Sequence, residues 1–177
     1  MQPQRRTLRS SGLELARVSN QPQAYLPLLA FHAHVALVAG DAVRAGAEAT
    51  ELLDAVTRVG PQATGTDWSC DLAVVLEALG RGAELLELAA GVPAPTRWLR
   101  AGTAMATGRF EEAADRYAEI GSPPDEAFAR LRAAEWLLAA GRRSEADQQL
   151  ERAMAFYREV GADGYLHQGS GLRAASA

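Results

Sequence analysis

The sequence predicts an all-α chain: an array of about four antiparallel helical hairpins closed by a C-terminal helix. Three observations carry that reading. Glycine triplets recur in step, as Gly40-Asp41-Ala42, Gly108-Arg109-Phe110 and Gly141-Arg142-Arg143, each followed three residues later by a small residue (Ala45, Ala113, Ala146). The last two glycines lie 33 residues apart and the first two 68 apart, close to one and two periods of a two-helix repeat. Finally, 48% of the chain is apolar and alanine-rich, Ile120 is the sole isoleucine, and no long period-2 run occurs, so helices are favoured and strands are not.

The elements follow in order. Residues 1–11 are expected to be an irregular leader, and 12–177 a single helical-repeat domain. Leu13 to Val18 is expected to be a short helical end, as if the chain began inside a repeat of a longer protein. The first complete hairpin is placed at 22–59, with its first helix over Gln23–Ala39. Gly40 serves as left-handed C-cap and Asp41 as N-cap of the next helix. There, Val43, Ala47, Leu52, Leu53 and Val56 recur at helical spacing. After Gly60-Pro61 and a loop over Ala63–Thr66, a second, degenerate hairpin is expected at 67–90, with Asp67 as cap and Gly80-Arg81-Gly82 as turn. Gly91-Val92-Pro93-Ala94-Pro95 is the strongest break. The third hairpin is expected at 96–120. The fourth, at 124–160, has Pro124 near its start, where a missing donor costs nothing, and Ser144, Glu145 and Asp147 as caps of its second helix. A polar helix over 163–174, weakened by Gly164, Gly169 and Gly171, is expected to cap the array.

These residues resemble the tetratricopeptide repeat. The third hairpin carries Gly108, Phe110, Ala113 and Tyr117 at the family's turn, aromatic, alanine and aromatic positions. The fourth carries Gly141, Ala146, Leu150 and Ala153, with Arg143 where an aromatic is usual, and the first carries Gly40, Ala45, Ala49 and Leu52. Ala33, Ala101 and Ala134 stand where the family's first helix has glycine. The resemblance covers about residues 13–160 and implies a right-handed α-solenoid. The stretches Ala129–Arg143 and Ala153–Ala162 and the ending Leu172-Arg173-Ala174-Ala175-Ser176-Ala177 also look like the C-terminal repeats of bacterial signalling ATPases fused to adenylate/guanylate cyclase or DNA-binding regulator domains. That likeness implies a regulatory arm of a larger protein.

Charge and composition narrow the function. All 18 basic residues are arginine, so a phosphate loop with lysine, a kinase lysine and a Schiff-base lysine are excluded. Net charge is −4, with the excess of acids after residue 40, which offers no electrostatic footprint for nucleic acid. The Arg5, Arg6, Arg9 cluster reads as a solvated terminus. Cys70 is alone, so no internal disulfide forms. Neither a membrane-span-length apolar stretch nor a signal-peptide core is found, and the chain is expected to be cytoplasmic.

His32 and His34 point to different sides of a helix and lack the i,i+4 spacing of a zinc pair. His167 and Ser170 lack a nucleophile elbow. Glu111, Glu112, Asp115 and Glu119, interleaved with Arg109 and Arg116, read as a solvated, ion-paired face. No catalytic residue, metal or cofactor is expected. The first helices of the hairpins are expected to line a concave binding face at His34, Leu37, Trp98, Met105, Phe128, Leu131, Glu135 and Leu138, rimmed by Arg97, Arg100, Arg130 and Arg132. With no lysine and Asn20 as the sole asparagine, a carboxylate clamp for a chaperone tail is not expected. The expected function is a non-catalytic protein-interaction module whose partner is another protein or the ATPase core of its own parent chain. The alternative is a small-molecule sensor with its ligand in a groove near Trp98 and Trp136.

Overall fold

The computed structural model describes residues 12–18, 21–60 and 66–175. The leader with Arg5, Arg6 and Arg9, and most of the loop after Gly60, lie outside them. The described residues form helices joined by short turns, with no strand among them, and divide between two compact units, Met1–Thr107 and Gly108–Ala177. In the first unit, α1 spans residues 12–18. It is followed by α2 (Pro22–Val38), α3 (Ala42–Val59), α4 (Ser69–Ala78), α5 (Gly82–Ala90) and α6 (Arg97–Ala106). The second unit holds α7 (Phe110–Ile120), α8 (Pro123–Ala139), α9 (Arg143–Glu159) and α10 (Asp163–Ala175). Of the hairpin expected over 96–120, α6 falls in the first unit and α7 in the second. No helix among the described residues is long and apolar enough to cross a membrane.

Three of the turns share one construction. Gly40, Gly80 and Gly141 take left-handed φ of 79°, 69° and 74°, a region closed to most side chains. In each, the glycine N–H and the following N–H turn back onto the end of the preceding helix, as in Asp41 N–H to Ala36 O (2.9 Å) and Arg142 N–H to Leu137 O (2.8 Å). This is the Schellman closure, which satisfies carbonyls the helix leaves open. The chain then reverses and starts the partner helix directly. Asp41 caps α3 by accepting from the Arg44 N–H at 3.1 Å. Thr96 caps α6 by accepting from the Leu99 N–H at 3.1 Å.

Two expected caps are corrected. The Asp67 side chain does not cap α4; the helix starts at Ser69 with Trp68 at the cap position, and the Ser69 hydroxyl donates to Thr66 O at 2.5 Å. Nor does Ser144 cap α9, because the helix starts one residue earlier and Ser144 lies inside its first turn.

In the first unit α2 packs on α3 and α4, and α6 packs on α4 and α5. Leu26, Leu29 and Ala33 of α2, Ala45, Ala49 and Leu52 of α3, Leu72 and Leu76 of α4, Leu85 of α5 and Leu99 of α6 are fully buried. The second unit is built around α8, which packs on α7 and α9. Its core joins Leu131, Ala134 and Leu137 to Ala146, Leu150, Ala153 and Tyr157. Alanine at the contacts lets helix axes approach while leucine fills the layers between them.

Candidate functional site

The second unit presents a cleft of about 370 Å³ lined by Gly108, Arg109, Phe110, Glu111, Glu112, Ala133, Trp136 and Arg142. Its parts come from three places the sequence holds close. Gly108 and Arg109 lead into α7, whose first residue, Phe110, is buried. Ala133 and Trp136 lie on one face of α8, three residues apart. Arg142 belongs to the turn into α9. The Phe110 ring and Ala133 make the apolar floor, while Trp136 stands half in solvent at 50% exposure. The aromatic groups carry cations: Arg142 lies 5.7 Å from the Trp136 ring centroid, and Arg132 5.4 Å from that of Phe110. Both distances fall within cation–π range.

Ion pairs hold the rim. Glu112 receives Arg109 at 2.7 Å and Arg116 at 2.9 and 2.7 Å. Arg142 binds Glu145 bidentately at 2.8 and 2.5 Å, and this hydrogen bonding holds the Glu145 carboxyl below the ordinary carboxylate range. The positive charges of the rim are therefore paired with carboxylates above an apolar, aromatic floor. The lining offers no hydroxyl, thiol or imidazole. Chemically the cleft offers an apolar and aromatic floor flanked by ion-paired arginine and glutamate side chains.

The first unit has a smaller cleft of about 310 Å³ whose lining includes Arg17, Tyr25, Leu26, Glu51 and Arg58. Arg17 donates to both oxygens of Glu51, at 2.9 and 2.6 Å, and the Tyr25 hydroxyl also donates to Glu51. The Arg17 hydrogen bonds depress the Glu51 carboxyl. Arg17 of α1 is thus tied to Glu51 of α3, and Leu13 of α1 is buried, so this cluster reads as the latch that holds α1.

The residues expected to line a concave face are distributed differently. In the first unit, His34 bonds Asp71 across α2 and α4 at 2.6 Å. Leu37 and Trp98 are half-buried, and Arg97 and Arg100 are exposed. In the second unit, Phe128, Glu135 and Leu138 are half-buried, and all three meet α10 or the core beneath it. Phe128 packs edge-on to Tyr165, Glu135 accepts from Gln168 at 2.7 Å, and Leu138 lies on the core with Leu166 and Leu172.

Three assignments are corrected. Met105 and Leu131 are 1% and 0% exposed and belong to the core, because each falls on the side of its helix that faces the neighbouring helices. Arg130 is no rim residue: it is 3% exposed and bonded to Glu126 (2.7 Å), Gln149 (2.9 Å) and Asp115 (3.4 Å). Arg132 does reach the Phe110 side of the cleft and pairs with Glu135. Trp98 and Trp136 fall in different units.

Phe110, Arg109 and Arg142 escaped the sequence reading as site residues. Their signal was present. Gly-Arg-x-x-Glu recurs at Gly80–Glu84, Gly108–Glu112 and Gly141–Glu145, and each arginine pairs with its glutamate. Two of these brackets border the cleft. Comparison with protein-family models, with curated proteins and with solved structures found no match for this chain.

Proposed function

We propose that the chain is a tetratricopeptide-type repeat module that binds a protein partner and carries no chemistry of its own. In this reading it is a cytoplasmic regulatory piece of a bacterial signalling ATPase, and its partner is another protein or the ATPase core of the parent chain. The observation that carries the binding role is the half-exposed Trp136 above the Phe110–Ala133 floor, bracketed by arginines that ion pairs hold in place. A large aromatic left in solvent on a rigid helical scaffold is the composition of an interface anchor. The turn glycines and small residues of the hairpins support the family reading.

The cleft volume of about 370 Å³ also falls within the range of small-molecule sites, which sustains the sensor as a second reading. A peptide array and a metabolite thermal-shift screen, both run on the intact chain and on Trp136→Ala, separate the two. Binding of aromatic-containing peptides, weakened at least tenfold by the substitution, supports the interaction module. A saturable rise in Tm with a metabolite, lost in the same variant, supports the sensor instead. Peptide binding indifferent to Trp136 overturns the assignment of this cleft.

A further inference from the structure

The C-terminal helix α10 occupies a groove on α8 and α9 without fitting it fully. Tyr165 stacks on Tyr157, ring centroids 4.5 Å apart and planes within 9°, and meets Phe128 edge-on at 6.2 Å. Leu166 and Leu172 lie on the core of the second unit, and the Gln168 amide donates to Glu135. At Gly169 the approach is so close that a Cβ would stand 2.3 Å from the Met154 sulfur and 3.2 Å from Leu150. The contact face of α10 thus reads Tyr165-Leu166, Gly169, Leu172, the i,i+3/i+4/i+7 pattern of a helix seated in a groove.

Two features set this seat apart from an ordinary core contact. Tyr157 is 3% exposed and stacked against Tyr165, yet among the described residues its hydroxyl has no hydrogen-bond partner, and a buried donor left unmet lowers the stability of the packing around it. Among the described residues, a Cβ at Gly164 or Gly171 would meet nothing within 4 Å, so these glycines permit no close approach there and lower the helix propensity of the segment. Burial, with Tyr165 and Glu135 nearby, also pushes the Tyr157 hydroxyl far above the ordinary tyrosine range, so it stays a donor.

We propose that α10 is a displaceable strap over a helix-binding groove of α8 and α9, and that a partner's amphipathic helix replaces it. That helix carries the same aromatic–apolar–small–apolar face and adds a hydrogen-bond acceptor above the Tyr157 hydroxyl. The seated α10 is the template for the occupant, and the orphan hydroxyl is the contact that α10 leaves for a competitor to make. The proposal rests on the reading of the chain as protein-binding, but not on the Trp136 cleft.

Hydrogen–deuterium exchange on the intact chain tests it. Residues 163–175 should exchange at least tenfold faster than 146–157 of α9. A synthetic peptide of residues 163–175 with Gly164→Ala and Gly171→Ala should bind saturably and speed exchange of the native α10. Tyr157→Phe, which removes the orphan hydroxyl, should slow that exchange. Gly169→Val should expel α10 and tighten peptide binding at least tenfold. If α10 exchanges as slowly as α9, or the peptide leaves its exchange unchanged, the strap is overturned. Both readings come from the unsubstituted chain and hold even where Gly169→Val fails to fold. Trp136→Ala should leave them unaltered, so failure here is separable from failure of the aromatic cleft.

Discussion

Arg130 is a guanidinium almost wholly out of water, a condition that persists only when its donors are met. It reaches Asp115 on α7, Glu126 on its own helix and Gln149 on α9, so one side chain ties three helices of the second unit. Gln149 extends the network to Glu111 at 3.4 Å. Arg130→Met, which keeps the volume but removes every donor, leaves a part-buried Glu126 unmatched. Because Glu126 and Asp115 keep some access to water, the expected cost is below that of a fully buried pair, about 2–3 kcal/mol. Arg130→Lys is expected to recover only part of it, since a single ammonium cannot span three partners. Urea unfolding followed by circular dichroism checks both values. From sequence Arg130 reads as a rim residue because it shares a helix with the residues expected on the concave face. Its i,i+4 relation to Glu126 was legible, but its partners on α7 and α9 were not, because they come together only on folding. Met105 and Leu131 failed for a related reason. Periodicity tells which residues share a helix face; in α8 apolar residues occur nearly all round and do not say which face turns inward, whereas in α6 the whole stretch Ala101–Ala106 is buried, which packing alone reveals.

At the level of elements, punctuation was more legible than capping. Glycines with positive φ stand at the expected turns, because a Schellman closure requires a residue that accepts the left-handed region. Asp67 and Ser144 were misread because a cap residue must sit one place before the helix, and a shift of one residue in the start removes it. Gly82 illustrates what only packing reveals. It opens α5, and a Cβ there would stand 1.8 Å from the Ala106 carbonyl oxygen of α6. Gly→Ala in a helix ordinarily stabilises by about 1 kcal/mol; Gly82→Ala is expected to do the reverse, by about 1–3 kcal/mol, since backbone must move to admit the methyl. A fall in Tm checks the sign. The latch of α1 gives an element-level pH effect. Glu51 is depressed by Arg17, so its contribution is complete above the ordinary carboxylate pKa and is lost as pH falls through the depressed value. Glu51→Gln should loosen α1 at neutral pH, and the protection factors over residues 12–18, corrected for intrinsic exchange, should then approach those of the parent protein in acid.

For the whole chain, the charge pattern sets the response to acid. All 18 of its strongly basic residues are arginine, so that positive charge does not titrate in any accessible range, and the acids set the response as pH falls. Glu51, Glu84 and Glu145 all lie below the ordinary carboxylate range, in each case chiefly because an arginine hydrogen-bonds the ionised form. In the unfolded chain these groups return to about 4.3. Between the two values the unfolded state binds more protons, so stability rises with pH there and is level above it. The sign follows from the depressed direction: contributions present above the unfolded pKa disappear as pH falls through the folded ones. The Glu84 and Glu145 pairs sit on surface turns, where screening by water and salt keeps each contribution small. Tm measured by scanning calorimetry is therefore expected to change little from pH 8 to about 6 and to fall steadily below about 4.5. Added salt at neutral pH should shift it only slightly. A Tm that rises on acidification would show that carboxylate repulsion outweighs the arginine brackets, and the Gly-Arg-x-x-Glu turns would then be incidental to stability.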